Sequence, residues 1–250
     1  MTGLQSNVEW KQWGKDDPLY GVASWSNKQK GAESEWTDEG FYALGESDWR
    51  DFVRHWQQYG VNRESCLEVG CGAGRITRQL ALFFDRVYAV DVSTAMIAYA
   101  RERIGAGNVE YSVVDGFSLP QKDRSVKAVF STHVLQHLDS VDIGLSYFRE
   151  FFRVLDSGGT LMVHLPLYQW PRDTGRAALL LSGIDYSARR IADLKAFVRR
   201  RQGIKTMRYT PYPLSLVHSQ LRDTGFRNVE FRTFATTSNG DLHSFVFSSR

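Results

Sequence analysis

Three glycines at alternate positions, Gly70, Gly72 and Gly74, place the strongest constraint on the fold of this chain. They follow a short apolar strand pattern and lead into helical spacing of apolar residues. Because glycine has no Cβ, it adopts left-handed backbone angles and lets a ligand approach the main chain closely. The stretch therefore predicts a strand, a tight turn and a helix whose shared backbone holds a ligand.

An acidic residue ahead of these glycines indicates what kind of ligand it is. Dinucleotide-binding loops read G-x-G-x-x-G and hold a pyrophosphate at the start of the helix. Residues 68–74 instead read E-x-G-x-G-x-G, with Glu68 two positions before Gly70. Because this carboxylate would repel a diphosphate, we expect a ligand that carries positive charge and ribose hydroxyls.

A second acidic residue ends the next predicted strand. Residues 86–91 have the pattern of a buried strand that ends at Asp91, after the glycine loop. A carboxylate in this place can accept two hydrogen bonds from a vicinal diol. Asp91 is therefore a candidate for binding a ribose.

Strand and helix patterns alternate with short connections over residues 61–165. This alternation predicts an α/β fold with a doubly wound, mostly parallel sheet, in which ligands bind at the carboxyl ends of the strands. We predict seven strands. The last two, residues 226–233 and 243–248, form an antiparallel C-terminal hairpin around a turn at residues 238–240.

Two segments do not follow this alternation. Residues 1–60 hold six of the seven tryptophans, and we predict a helical cap or lid with an amphipathic helix that begins near Ser47. Residues 166–212 are long for a connection, and we predict a helical insert after the fifth strand. Insertions at the ligand edge of a sheet commonly carry function. We therefore treat residues 61–250 as one ligand-binding domain that includes this insert.

Composition limits the partners and the location. The formal charge of +3 is too small to indicate a nucleic-acid binder, although basic residues concentrate in residues 189–208. An apolar stripe runs through that window, so we interpret it as an amphipathic helix with a solvated basic face. We find no signal-peptide pattern and no apolar run of membrane-spanning length, and we expect a cytoplasmic protein without membrane contact. Cys66 and Cys71 lack metal-ligand spacing, and we expect them to be buried.

The glycine loop and the acids at the strand ends resemble the class I S-adenosylmethionine-dependent methyltransferases. The resemblance covers residues 61–165 and, more loosely, residues 213–250; Val126-Lys127 departs from the Phe-Asp of many relatives. It implies S-adenosyl-L-methionine as the cofactor, S-adenosyl-L-homocysteine as the product and no metal. The cofactor-binding residues that it implies are Glu68, Gly70, Cys71, Gly72, Gly74, Asp91, Val92, Met96, Asp115, Gly116, Phe117 and Ser131. Among them, Asp91 would bind the ribose, Met96 would cover the adenine and Asp115 would meet the adenine amine.

Methyl transfer is an in-line displacement, which an enzyme promotes by aligning the reacting atoms in a dry pocket. A hydroxyl acceptor also calls for a general base near the strand ends, and histidine suits neutral pH. His133 and His164 are the catalytic candidates in the right place, whereas His218 and His243 are placed less well. Tyr168, Trp170 and Arg172 follow the fifth strand and are candidates for the acceptor pocket.

Three functions stay open at this point. The first is an O- or N-methyltransferase for a small-molecule acceptor, with the insert 166–212 forming part of the acceptor pocket. The second is a methyltransferase that acts on RNA or a protein through the basic helix 189–208, and the third is a non-catalytic S-adenosylmethionine-binding protein. The fourth strand ends in Ser131-Thr132-His133 and lacks the Asn/Asp-Pro-Pro-aromatic element of nucleic-acid amino methyltransferases. We therefore expect a small-molecule acceptor and no nucleic-acid partner, and a homodimer stays open.

Overall fold

The computed structural model describes residues 4–168, 207–235 and 242–250. One sheet contains the strands of these ranges, which are β1 (Cys66–Val69), β2 (Val87–Asp91), β3 (Val109–Val113), β4 (Val126–Ser131), β5 (Leu155–Tyr168), β6 (Tyr212–Pro213), β7 (Arg227–Ala235) and β8 (Leu242–Ser249). The helices are α1 (Gln5–Asp16), α2 (Pro18–Val22), α3 (Asp38–Tyr59), α4 (Thr77–Phe83), α5 (Thr94–Ile104), α6 (Val141–Val154) and α7 (Leu214–Thr224), together with a 3-10 turn at Leu135–His137.

The sheet has the order β3-β2-β1-β4-β5-β8-β7, and β6 pairs with β5 beside this path. The strands β1 to β5 are parallel where they pair, whereas β8 runs antiparallel to both β5 and β7. The order reverses between β1 and β4, which is where ligands bind in open sheets of this kind. The predicted doubly wound, mostly parallel fold with seven strands on this path is confirmed. The short β6 was not predicted, because two residues that include a proline carry no strand periodicity.

Side-chain caps explain where several helices begin. Ser93 caps α5 by accepting a hydrogen bond from the Met96 amide, and Ser140 caps α6 in the same way. Thr37 caps α3, so this helix begins at Asp38 and not near Ser47 as the sequence pattern suggested. The apolar spacing is weak in the first turns of α3, which explains the error.

Two hydrophobic clusters cover the two faces of the sheet. One includes side chains of α6 and α7, and the other places α3 and α4 against β1, β4 and β8. Trp56 of α3 is fully buried and donates a hydrogen bond from its indole nitrogen to the Thr160 hydroxyl at 3.0 Å. Lys127 binds Asp156 with its ammonium nitrogen 2.6 Å from a carboxylate oxygen. The packing of α3 against the sheet accounts for its tryptophans, Trp49 and Trp56, as part of the core.

A third cluster joins the N-terminal helices to the domain. Met96 of α5 is fully buried with Leu19 and Phe41, and Trp10, Trp13 and Trp36 pack against the same cluster. The N-terminal tryptophans therefore attach α1, α2 and α3 to the nucleotide-binding half of the sheet. A role of residues 1–60 as a lid stays a prediction. Residues 169–206 of the predicted insert and the predicted turn at residues 238–240 lie outside the described residues.

Candidate active site

A cleft opens at the carboxyl ends of β1, β2 and β4, where the strand order reverses. Its empty volume, with the open mouth included, is about 880 Å³. The cleft brings together seven of the residues expected from the sequence, namely Glu68, Gly70, Cys71, Gly72, Asp91, Val92 and His133. Ser6, Asn7 and Trp10 of α1 form a further part of its wall.

The glycine loop turns sharply at the end of β1. Gly72 has a φ of 52°, in the left-handed region that L side chains rarely adopt. A Cβ on Gly72 would lie only 2.6 Å from a methyl group of Val22, so α2 approaches the loop closely. Gly70 also has positive φ, and its amide donates to the carbonyl of Val90 on β2 at 2.8 Å. The loop therefore presents bare backbone to the cleft.

Asp91 is held in a fixed orientation at the end of β2. One carboxylate oxygen accepts a hydrogen bond from the Gly72 amide at 2.9 Å, and the other accepts one from the Ser93 amide at 2.8 Å. Burial raises the pKa of Asp91, and the backbone hydrogen bonds oppose that shift. A carboxylate has about four acceptor positions, so both oxygens keep capacity for the two hydroxyls of a ribose.

Glu68 lies on β1 at the base of the cleft and is 3% exposed. One of its oxygens accepts a hydrogen bond from the Thr77 hydroxyl at 2.6 Å. Burial raises the pKa of Glu68 to about 8, against the opposing effect of the Thr77 hydrogen bond and with a small further increase from Asp91. A cation bound in the cleft would favour the ionised form of this carboxyl group.

Arg75 was not identified from the sequence as a site residue, although it directly follows Gly74. Its buried guanidinium lines the cleft and binds Asp48 of α3 through one terminal nitrogen. Burial lowers the pKa of Arg75 to about 10, so it stays charged at neutral pH. Within the described ranges its Nε has no hydrogen-bond partner. This unsatisfied donor fits a ligand with a carboxylate, such as the amino-acid part of S-adenosylmethionine.

Six of the expected cofactor residues do not line the cleft: Gly74, Met96, Asp115, Gly116, Phe117 and Ser131. Gly74 packs against α5, and Met96 is covered by Gly14 and Gly21 of the N-terminal helices. Phe117 is 50% exposed. Asn7 of α1 donates to the main-chain oxygen of Asp115 at 2.7 Å, so the N-terminal helix fills the space beside this loop. The contacts of these residues with the adenine stay predictions.

Ser131, the last expected cofactor residue, has a structural contact. Its hydroxyl donates to the main-chain oxygen of Val69 at 3.0 Å, which ties the end of β4 to the end of β1. The side chain is buried and is not part of the cleft wall. Its contact with the cofactor therefore stays a prediction as well.

The two catalytic candidates lie next to each other. His133 follows β4, has a φ of 56° and lines the cleft, and its ring centroid is 4.2 Å from that of His164 on β5. Burial lowers the pKa of both histidines well below the usual value, and each is also affected by neighbouring histidines and by Arg75. Both imidazoles are therefore neutral at neutral pH, which is the form that accepts a proton.

Two further histidines belong to this region. His137 lines the cleft, has its Nδ1 2.5 Å from the main-chain oxygen of Arg208 and contacts the ring of Trp10 edge-on. Burial lowers its pKa to about 4. His243 of β8 was placed less well from the sequence, but its Nδ1 is 2.8 Å from Nε2 of His164. The antiparallel pairing of β8 with β5 brings these two rings together.

The acceptor candidates are only partly described. Tyr168 ends β5 and is half-buried, whereas Trp170, Arg172 and most of the basic segment 189–208 lie outside the described residues. In the described ranges, no helix has the length and apolarity to cross a membrane. In the same ranges, no group of three or more His, Cys, Asp or Glu side chains is arranged to hold a metal ion.

A doubly wound sheet with a glycine loop after β1 and an acid at the end of β2 defines a Rossmann-like domain for a nucleoside-containing cofactor. Residues 67–163 match the family model of the methyltransferase domain. Over these residues the chain contains a class I S-adenosylmethionine-dependent methyltransferase domain.

Similar proteins share the domain but differ in name and length. The malonyl-[acyl-carrier protein] O-methyltransferase of Hahella chejuensis is 36% identical over 115 residues, which are 44% of this chain and 40% of that protein. One similar structure is the Haemonchus contortus phosphoethanolamine N-methyltransferase 2, solved with phosphomonomethylethanolamine and S-adenosylhomocysteine. Its TM-score is 0.57 at 20% identity, and the aligned region covers 87% of this chain and 59% of that protein's chain. The [4+2]-cyclase SpnF has a TM-score of 0.60 at 15% identity, and the aligned region covers 100% of this chain and 99% of the SpnF chain. The two structural likenesses show the fold, and the matched region is less than half of the curated relative's length.

Proposed function

We propose that this chain transfers the methyl group of S-adenosylmethionine to an oxygen or nitrogen atom of a small-molecule acceptor by in-line displacement. One observation carries the proposal: the glycine loop, Asp91 and His133 line the same cleft. A ribose-binding acid, a backbone cradle and a neutral base would thus surround one bound cofactor and its acceptor.

The residues on the β1 and β2 side of the cleft fit the cofactor. Asp91 would bind the ribose hydroxyls, the backbone at Gly70 and Gly72 would lie along the methionine part, and Arg75 would donate from Nε to its carboxylate. Glu68 would become ionised next to the positive charge. When bound, the cofactor supplies an electrophilic methyl group attached to a sulfonium.

On the β4 side, His133 would act on the acceptor. Its imidazole is neutral at neutral pH because burial lowers its pKa, so it can accept the proton that a hydroxyl or ammonium acceptor loses. Ser6 and Trp10 of α1 close the cleft next to it and would exclude water from the reacting atoms. The names of the relatives, which include an O-methyltransferase and an N-methyltransferase, support either oxygen or nitrogen as the methylated atom.

Calorimetric titration with S-adenosylmethionine tests the cofactor site. We expect the Asp91→Ala variant to bind at least about 100-fold more weakly, because two hydrogen bonds to a charged acceptor are lost. Asp85→Ala, at an exposed position on the same half of the sheet, is the matched control and should bind as the wild type does. Circular dichroism checks that both variants fold, and an Asp91→Ala variant that folds and keeps full affinity would refute the assignment.

A second experiment tests the acceptor class. The protein is incubated with methyl-labelled S-adenosylmethionine and an extract of its source cells, and the extract is then separated into metabolites, RNA and protein. Label in the metabolites supports the proposal. Label in RNA or protein would instead support the macromolecular alternative through residues 189–208. Binding of the cofactor without transfer to any fraction would support the non-catalytic alternative.

A further inference from the structure

Three side chains form a continuous hydrogen-bonded chain next to the cleft. The phenol oxygen of Tyr209 is 3.1 Å from Nε2 of His243, and Nδ1 of His243 is 2.8 Å from Nε2 of His164. The two histidines come from β8 and β5, where Pro166 is opposite His243 and His164 is opposite Phe245. The hydrogen-bonded chain therefore depends on the register between the antiparallel strands β5 and β8.

The two histidines of this hydrogen-bonded chain, His164 and His243, are almost completely removed from water. His164 is 3% exposed and His243 is 5% exposed, and the aromatic rings of Phe234 and Phe245 pack against His164. Burial disfavours an imidazolium ion and lowers the pKa of His164. A neutral imidazole has one N–H donor and one acceptor nitrogen, so all hydrogen bonds along the chain must point in one direction.

The two directions differ at the inner end of the chain. If the Tyr209 hydroxyl donates to His243, then His243 donates to His164, and the proton of His164 is on Nδ1. If His164 donates to His243 and His243 donates to Tyr209, then Nδ1 of His164 carries a lone pair. This Nδ1 is buried and has no hydrogen-bond partner among the residues described. The ring of His164 is in contact with His133, which lines the cleft.

We propose that His164, His243 and Tyr209 form a proton relay that removes the proton from His133 after the acceptor has released it. The proposal rests on the proposed function for the source of that proton. Rotation of the His133 ring, whose centroid is 4.2 Å from that of His164, brings the proton to Nδ1 of His164. The Nε2 proton of His164 then moves to Nδ1 of His243. The Nε2 proton of His243 moves to the phenol oxygen, and the original hydroxyl proton of Tyr209 leaves to water. All three side chains are neutral before and after, and exchange of the ring protons with water restores the first tautomers.

The surroundings explain why a relay is useful at this place. A proton left on His133 would make an imidazolium ion in a dry cleft, near Arg75 and His137. That charge is unfavourable because the site is desolvated and Arg75 is already positive. Tyr209 is 38% exposed, so the outer end of the chain reaches water while the inner end is dry. The relay would move the charge out of the cleft without placing an ion between the strands.

The tautomers of the histidine rings test the relay directly. Protein labelled with ¹⁵N in its histidine rings gives long-range ¹⁵N–¹H spectra that distinguish Nδ1–H from Nε2–H. Tyr209→Phe removes the hydroxyl and keeps the ring. Because the chain is coupled, we expect the tautomer ratio of His164, two links from the substitution, to change by about fivefold, the effect of one net hydrogen bond. His218 should keep its signals.

A matched variant separates coupling from a general effect of losing a tyrosine hydroxyl. Tyr59→Phe removes a hydroxyl that donates to the Asn228 carbonyl at 2.6 Å, and it should leave the His164 tautomers unchanged. A Tyr209→Phe response limited to His243, or no response, would overturn the relay.

Titration of the same wild-type sample with S-adenosylmethionine keeps the two proposals apart. Loss of cofactor binding in the wild type would defeat the proposed function and leave the tautomer result standing. Normal cofactor binding with uncoupled histidine tautomers would defeat the relay alone.

Discussion

Arg208 binds both carboxylate oxygens of Glu9, with Nε and Nη2 each 3.0 Å from one oxygen. The remaining terminal nitrogen of Arg208 is 3.0 Å from Asp139, which also accepts a hydrogen bond from the Ser6 amide at the start of α1. These contacts fix α1 over the cleft from the segment that precedes β6. Because the three charged side chains are partly exposed, the contacts hold α1 in place at moderate strength.

Replacing Arg208 should therefore loosen α1 without unfolding the domain. We expect amide hydrogen exchange in α1 to become about 10-fold faster in Arg208→Met, because a bidentate ion pair of intermediate burial contributes about 1–2 kcal/mol. Hydrogen-exchange mass spectrometry measures this, with Lys11→Met on the exposed face of α1 as the control. Unchanged exchange in α1 would show that Arg208 does not hold the helix.

Gly45 of α3 should not tolerate a methyl group. A Cβ at this position would lie 2.3 Å from the main-chain oxygen of Arg75. An alanine in a helix normally stabilises by up to about 1 kcal/mol relative to glycine, but here the clash should cost about 1–3 kcal/mol. Urea unfolding of Gly45→Ala measures whether the substitution raises or lowers the free energy of unfolding. Gly107→Ala, which meets no atom within 4 Å, is the control and should change stability little.

The raised pKa of Glu68 predicts a stability that falls as pH rises. The folded protein keeps the proton up to about pH 8, whereas the unfolded chain loses it near the usual pKa of 4.5. Between these values the folded state binds more protons, so the free energy of unfolding decreases with pH, by at most about 1.4 kcal/mol per pH unit. We expect Glu68→Gln to flatten this slope.

Urea unfolding between pH 6.5 and pH 8 isolates the effect of Glu68. The buried histidines lower the free energy of unfolding as pH falls through their unfolded value of 6.5, and this effect is the same in the wild type and in Glu68→Gln. Equal slopes for the wild type and Glu68→Gln would contradict a raised pKa at this position.

Loss of the His133 imidazole should reduce methyl transfer and spare cofactor binding. Asparagine tolerates the left-handed backbone at this position, so His133→Asn should fold. We expect the rate of labelled-methyl transfer to the acceptor fraction to fall about 10²–10⁴-fold, the usual contribution of a general base. His218→Asn on α7 is the control, and a His133→Asn variant with the wild-type rate would remove His133 from catalysis.

Local sequence patterns predicted the part of the site that depends on chain neighbours. Gly70, Gly72 and the acid Asp91 are each placed by one strand end and one turn, so their positions at the cleft follow from spacing alone. These residues follow β1 and end β2, which pair in parallel and therefore end at the same edge of the sheet.

The contacts that sequence patterns could not predict join distant parts of the chain. His164 and His243 meet because of the register between β5 and β8, which is set by packing and not by either strand's own pattern. Arg75 meets Asp48 because α3 crosses the glycine loop. The burial of Met96 depends on the docking of α1 and α2, whose irregular aromatic spacing does not define an orientation.

The close approach of Val22 to Gly72 limits how proteins of this family can exchange parts. Their contact leaves no space for a Cβ on the loop, so a bulkier residue on α2 would meet the backbone of the glycine loop. An N-terminal segment taken from a relative would fit only if it carried an equally small residue at that position. Because Val22 and Gly72 both line the cleft, a change in α2 would also change the shape of the glycine loop at the cleft wall.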